Sequence, residues 1–208
     1  MLPGHSLDVD RDDLLHVCEV VGARRVFGHS YGSLVVLQAA AVGDGAVDRV
    51  AVYEPAVSID GAIPTAWVPR YRELLAKGDR RGAFAFFVQK SGQAAGPVSH
   101  LPLWYLRAVL RVVLGRRWRQ MDPLLEANAV EHELVAGADG DVGALEAITA
   151  DVLLLGGSRS PTFMTEVPFG VLEGVVPRCR SAVIDGLDHL APDDKAPASV
   201  AADLLQFL

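Results

Sequence analysis

The chain has 208 residues, half of them hydrophobic, which suffices for one domain with a full core and an insertion but is short for two domains of typical size. A formal net charge of −7 argues against a nucleic-acid partner. Cys18 and Cys179 are too few and too far apart for a disulfide scaffold or a zinc site and read as two buried thiols. No export signal opens the chain, and no run of about eighteen apolar residues is free of charge. A soluble, cytoplasmic protein without a transmembrane segment is expected.

In chain order, residues 10–21 predict a helix, with Asp10 as cap and Asp12 and Asp13 at its positive end. Leu14, Val17, Cys18 and Val21 share one face of it, and Gly22 stops it. Residues 24–27 read as a short strand and 33–42 as an apolar helix closed by Gly43. A second strand covers 47–53 and ends at Glu54-Pro55. Between 58 and 150 no good strand appears. Helical stretches at 66–77, 80–89, 103–114 and 117–133, broken by Gly and Pro, hold Trp67, Trp104 and Trp118 with Phe84, Phe86 and Phe87. They predict a helical insertion, a lid or cap. Residues 152–155 form a continuous apolar run typical of a parallel strand buried on both faces, 182–184 a fourth strand, and 199–208 a closing helix. Strands separated by helices imply a mostly parallel sheet. The expected organisation is an α/β core from 1–57 and 151–208, with 58–150 inserted.

Between the first strand and its helix lies Gly28-His29-Ser30-Tyr31-Gly32, which fits Gly-x-Ser-x-Gly. A sharp strand-to-helix turn needs glycines where a Cβ would meet backbone. It lifts Ser30 above the sheet and aims a helix N-terminus at it.

With these features the chain resembles the α/β-hydrolase superfamily over nearly all its length. The resemblance rests on the elbow at Ser30, the strand ending in Tyr53-Glu54-Pro55, the helical insertion, the strand ending in Gly156-Gly157, and the late Gly186-Leu187-Asp188-His189. It implies a serine nucleophile at Ser30, a histidine base at His189 and an oxyanion donor in the backbone N–H of Tyr31. The opening Leu2-Pro3-Gly4-His5 is similar to the loop that follows the family's fourth strand, so the chain reads as N-terminally short. The family's first strands would then be missing, with the turn that supplies a second oxyanion donor. Two alternatives follow: the chain is a fragment or starts from a displaced reading frame, or another segment, or a subunit of an oligomer, covers the sheet edge left bare.

A serine attacks only if a base takes its proton. Of six histidines, His29 adjoins Ser30 and should point away from it; His5 and His16 precede the elbow; His100 and His132 lie in the insertion. His189 follows the fourth strand, at the edge where open α/β sheets place their sites. The family's usual acid would fall at Ser160, a residue that cannot serve. Asp151 starts its strand, about 15 Å away at the wrong end, and Asp188 adjoins His189 too closely to reach its ring. Glu54, at the end of the strand after the elbow helix, is the better substitute, since some members carry their acid there. Its alternative is an acid that merely ends a strand and pairs with an arginine. Arg107, Arg111, Arg116, Arg117 and Arg119 read first as a solvated face, and the insertion's aromatics as its own core.

The expected function is hydrolysis of an ester, thioester or lactone of a small to medium apolar acid through an acyl-enzyme. No metal or organic cofactor is implied. The alternatives are a weakly active or non-catalytic binding protein that keeps the fold, and a cofactor-free perhydrolase using the same triad.

Overall fold

The computed structural model describes residues 5–42, 45–93 and 96–208; Gly43 and Leu2-Pro3-Gly4 lie outside them. Two compact units emerge, one formed by Ile63–Gly137 and the other by Ala138–Leu208 with the residues up to Ala62.

The second unit is built on a sheet of four parallel strands in the order β1 (Arg25–His29), β2 (Arg49–Tyr53), β3 (Asp151–Gly157) and β4 (Cys179–Ile184). This is the α/β architecture expected from the alternation of apolar runs and helices. Every residue of β2 after Arg49 and of β3 after Asp151 is buried, which is why these strands read as continuous apolar runs. On one face Ala51, Tyr53, Leu153 and Leu155 pack with Val200 and Phe207 of the closing helix. The alternate set, Val50, Val52, Val152 and Leu154, is equally buried and faces the other side. Strand β1 lies at one edge, without a partner on its outer side among the described residues.

Around the sheet run α1 (Leu7–Val21), α2 (Tyr31–Val42), α8 (Glu166–Val175) and α9 (Pro197–Phe207). Helix α1 starts earlier than its acidic turn suggests. Ser6, not Asp10, caps it, its hydroxyl accepting from the Val9 N–H at 3.3 Å. Asp10 is thereby freed to accept the Tyr31 phenol at 2.6 Å and to face His5 Nε2 at 3.0 Å. Of the four apolar residues expected on its inner face, only Cys18 is buried, whereas Val17 and Val21 are exposed. Cys179 is only half-buried, a correction to the expectation of two buried thiols. Its surroundings still push the thiol up to about 12.

The first unit is helical: α3 (Val68–Ala76), α4 (Arg80–Lys90), α5 (Leu103–Leu114), α6 (Trp118–Met121) and α7 (Leu125–Gly137). The single helix expected over 117–133 is in fact broken, because Pro123 has no N–H to continue it and a short 3₁₀ turn, Asp122–Leu124, intervenes. Trp67, Tyr71 and Leu125 form the core, with Phe84, Phe87 and Trp118 against it. The Tyr71 phenol donates to the Leu125 carbonyl at 2.9 Å, and Arg80 forks onto Asp122 and Glu126. Trp104 stands apart, 71% exposed. Arg107 binds Asp79 at 2.7 Å, while Arg111, Arg116 and Arg119 are exposed. No helix among the described residues is long and apolar enough to cross a membrane.

Candidate active site

Strand β1 runs two residues further than its apolar stretch, through Gly28 and His29, and Tyr31 opens α2 directly. Ser30 is left alone to turn the chain, and does so at φ 54°, a left-handed conformation unusual for a residue with a Cβ. Its N–H donates to the Tyr53 carbonyl at 3.0 Å, and its own carbonyl accepts from Ser33 and Ala56 at 3.0 and 3.2 Å. Strain of this kind persists only where neighbours fix it from several sides. Gly28 makes the turn feasible, since a Cβ there would lie 2.6–2.8 Å from the Gly32 oxygen and the Ser33 N and Cα. All three are backbone atoms, so nothing can swing aside. Gly28→Ala is expected to destabilise the fold by about 2–4 kcal/mol in equilibrium urea unfolding; a change below about 0.5 kcal/mol would mean the elbow is pliable.

His29 pairs with Tyr53 across the sheet, which sets Ser30 and Glu54 one residue beyond a register pair. Glu54 also has a positive φ, 47°, and its N–H donates to the Leu155 carbonyl at 2.8 Å. Two strained residues therefore stand side by side at the C-terminal edge of the sheet. The Glu54 side chain is fully buried, and among the described residues its ion-pair partner is His189 rather than an arginine. Its Oε2 lies 2.7 Å from His189 Nδ1, and its Oε1 accepts from the Gly157 N–H at 2.9 Å and the Ser160 hydroxyl at 2.5 Å. A carboxylate only accepts, so a hydrogen bond from His189 to Glu54 requires the proton on Nδ1, the tautomer that in a neutral ring leaves a lone pair on Nε2.

The turn after β3 and the loop after β4 are fitted together at Gly157. A Cβ on it would lie 2.2 Å from the Leu187 carbonyl oxygen, two residues before His189. The loop is held further by the Tyr53 phenol, which donates to the Asp188 carbonyl at 3.0 Å. The Asp188 carboxylate takes Lys195 and the Leu190 N–H.

The remaining histidines sit elsewhere, with one exception. His16 is exposed beside Glu19, and His132 bonds the Asn128 carbonyl and packs on Trp67 in the helical core. His100 is exposed at the end of a 3₁₀ turn, and His5 faces Asp10. His29, by contrast, lies against His189, with ring centroids 4.7 Å apart, and its Nε2 is buried without a hydrogen-bond partner. Strand alternation signalled a side chain directed off the elbow, but gave no sign of this contact. Burial first, and the neighbouring His189 second, hold the His29 imidazole below its ordinary 6.5, with Asp193 at 3.9 Å only partly opposing. Above that pH both folded and unfolded states carry it neutral. Below it, the unfolded chain binds a proton that the folded one resists, so stability falls as the pH drops. Urea midpoints measured from pH 7 to pH 5 should fall more steeply for the wild type than for His29→Asn. Parallel slopes would count against a suppressed His29.

Sequence reasoning missed the Gly157 N–H and the Ser160 hydroxyl as partners of Glu54. The one available signal was a hydroxyl standing where the family's acid belongs. Among the described residues no group of three or more His, Cys, Asp or Glu could hold a metal ion.

Residues 2–203 match the model of the alpha/beta hydrolase family. Comparison with curated proteins finds no match. Among solved structures the chain is similar to an alpha/beta hydrolase from Sphaerobacter thermophilus, at 23% identity and a TM-score of 0.71, over 98% of this chain and 76% of that one. A carboxylesterase structure from Nitrososphaera gargenis is similar at 19% identity and a TM-score of 0.62, over 97% and 71% of the two chains. The enol-lactonase from Burkholderia xenovorans is similar at 22% identity and 0.62, over 97% and 74%. With strand order, elbow and a match from residue 2 to residue 203 in agreement, this chain belongs to the alpha/beta hydrolase family.

Proposed function

We propose that the protein is a serine hydrolase that cleaves a carboxylic ester, thioester or lactone of a small to medium apolar acid through an acyl-enzyme. The observation that carries this reading is the buried Glu54 carboxylate 2.7 Å from His189 Nδ1, one residue beyond the register pair that also sets Ser30. A carboxylesterase and an enol-lactonase among the structures of similar fold accord with this reading.

In this mechanism Ser30 Oγ attacks the carbonyl carbon as His189 Nε2 takes its proton. The Tyr31 N–H, at the first residue of α2, stabilises the oxyanion that forms. Collapse expels the alcohol or thiol, which leaves with the proton from His189, and an acyl group remains on Ser30. Water then repeats the cycle: His189 accepts its proton, the acid departs, and Ser30 regains its hydrogen. Glu54 keeps the imidazole in the required tautomer and offsets its positive charge in the transition states. The helical residues inserted between β2 and β3 are the proposed cap.

The test is labelling with a fluorophosphonate probe followed by peptide mapping. Stoichiometric modification of Ser30 is expected, since only an activated serine reacts. A protein that stays unmodified while hydrolase controls react would overturn the reading.

A further inference from the structure

We propose that Ser160 is a positioning residue, whose hydroxyl pins one oxygen of Glu54 so that the other is presented to His189. The proposal rests on the triad reading above. It starts from a problem of freedom: a glutamate has three side-chain torsions, and its terminal one has only a broad, two-fold preference. A carboxylate held by a single contact would therefore hold the imidazole loosely. Here Oε1 is fixed by two donors from one turn, the Gly157 N–H and the Ser160 hydroxyl, leaving Oε2 for Nδ1.

The turn that supplies these donors is itself constrained. The Ser160 N–H closes it onto the Gly157 carbonyl at 3.1 Å, and the Arg159 N–H binds the Leu187 carbonyl at 2.9 Å. At its start, the close approach of Leu187 leaves no room for a side chain on Gly157. The turn thus delivers a hydrogen-bond donor to an acid on the neighbouring strand, from the position where the resemblance places the acid itself. Ser158, on the same turn, faces the other way. Its hydroxyl donates to Asp185 and accepts from the Gly186 N–H, both at 2.9 Å. One turn therefore carries both the residue to test and its control.

Ser160 Oγ also lies 2.5 Å from Glu54 Oε1. A carboxylate at position 160, one bond longer than the hydroxyl, would reach into the volume vacated when Glu54 is cut back to alanine. The two positions serve one space.

The experiment is steady-state hydrolysis of p-nitrophenyl butyrate by the full chain and its Ser160→Ala, Ser158→Ala, Glu54→Ala, Glu54→Ala/Ser160→Ala and Glu54→Ala/Ser160→Asp variants, with folding checked by circular dichroism. Ser160→Ala should lower kcat about 10–100-fold, the worth of a charge-assisted hydrogen bond, with KM within about twofold. Ser158→Ala should stay within about twofold of wild type. In the Glu54→Ala background the further loss of Ser160 should cost less than about twofold, because the group it positions is gone. Ser160→Asp in that background should restore at least about tenfold.

If Ser160→Ala keeps the wild-type rate, costs as much without Glu54 as with it, or is matched by Ser158→Ala, the positioning role is overturned while the triad stands. No gain from Ser160→Asp overturns the shared space. A Glu54→Ala enzyme with wild-type activity overturns the triad reading itself, a distinct result.

Discussion

Ser30→Ala should lower kcat for short p-nitrophenyl esters by about 10⁴–10⁶-fold while leaving the circular dichroism and urea midpoint close to wild type. The size follows from the chemistry: without Oγ no acyl-enzyme can form, and His189 has no proton to move. What remains is polarisation of the bound carbonyl and attack by adventitious water. The fold should tolerate the change because Ser30 serves the elbow through its backbone, donating to Tyr53 and accepting from Ser33 and Ala56. Alanine keeps all three bonds, although it must still adopt φ 54°. A mutant that hydrolyses at the wild-type rate would remove Ser30 as nucleophile.

Glu54→Gln carries the second large effect, about 10³–10⁴-fold in kcat with little change in KM. The amide has nearly the shape of the acid, but only one of its two head atoms accepts hydrogen bonds. The buried head of residue 54 meets donors on both sides, the Gly157 N–H and Ser160 hydroxyl on one and His189 Nδ1–H on the other. With its oxygen toward Gly157 and Ser160, the amide nitrogen faces Nδ1 and donates to it. The imidazole must then carry its proton on Nε2, the atom needed as base. The opposite flip would set the amide N–H against the Gly157 N–H in a buried site, which is costlier. The expected enzyme is folded, binds substrate and holds the wrong tautomer. Wild-type kcat in this variant would leave Glu54 as a structural acid only.

Much of the fold was legible because parallel strands buried on both faces leave short unbroken apolar runs such as Val152–Leu153–Leu154–Leu155, which length and flanking residues separate from the equally apolar Leu34–Val35–Val36–Leu37 of helix α2. The elbow was legible in part for a similar reason: Gly28 answers a steric demand that no other residue meets. A Cβ on Gly32 would meet nothing within 4 Å, a correction to the expectation that both glycines are required. Glu54 could be placed at the correct edge from its position at a strand end. The direction of its side chain could not be read, since it depends on Gly157 and Ser160, more than a hundred residues away in sequence. The contact of His29 with His189 is hidden in the same way, being set by how the loop after β4 returns over the sheet. Local rules failed where two residues competed for one task, as when Ser6 took the cap position that Asp10 also suited. They failed too where a proline cut a favourable pattern, as at Pro123.

The two ties on the loop before His189 differ in kind. Outside, Lys195 grips the Asp188 carboxylate, a partly exposed ion pair that dissolved salt weakens. Inside, the phenol of Tyr53, wholly buried, grips the carbonyl of the same residue. Burial, with the charges of Glu54 and Asp188 behind it, drives that phenol's ionisation far up, so it is an uncharged donor at neutral pH. Ions in the medium act on the first tie and scarcely on the second. The histidine is thus moored from within the sheet by a bond indifferent to ionic strength, and brine that loosens the surface of this loop leaves its inner anchorage in place.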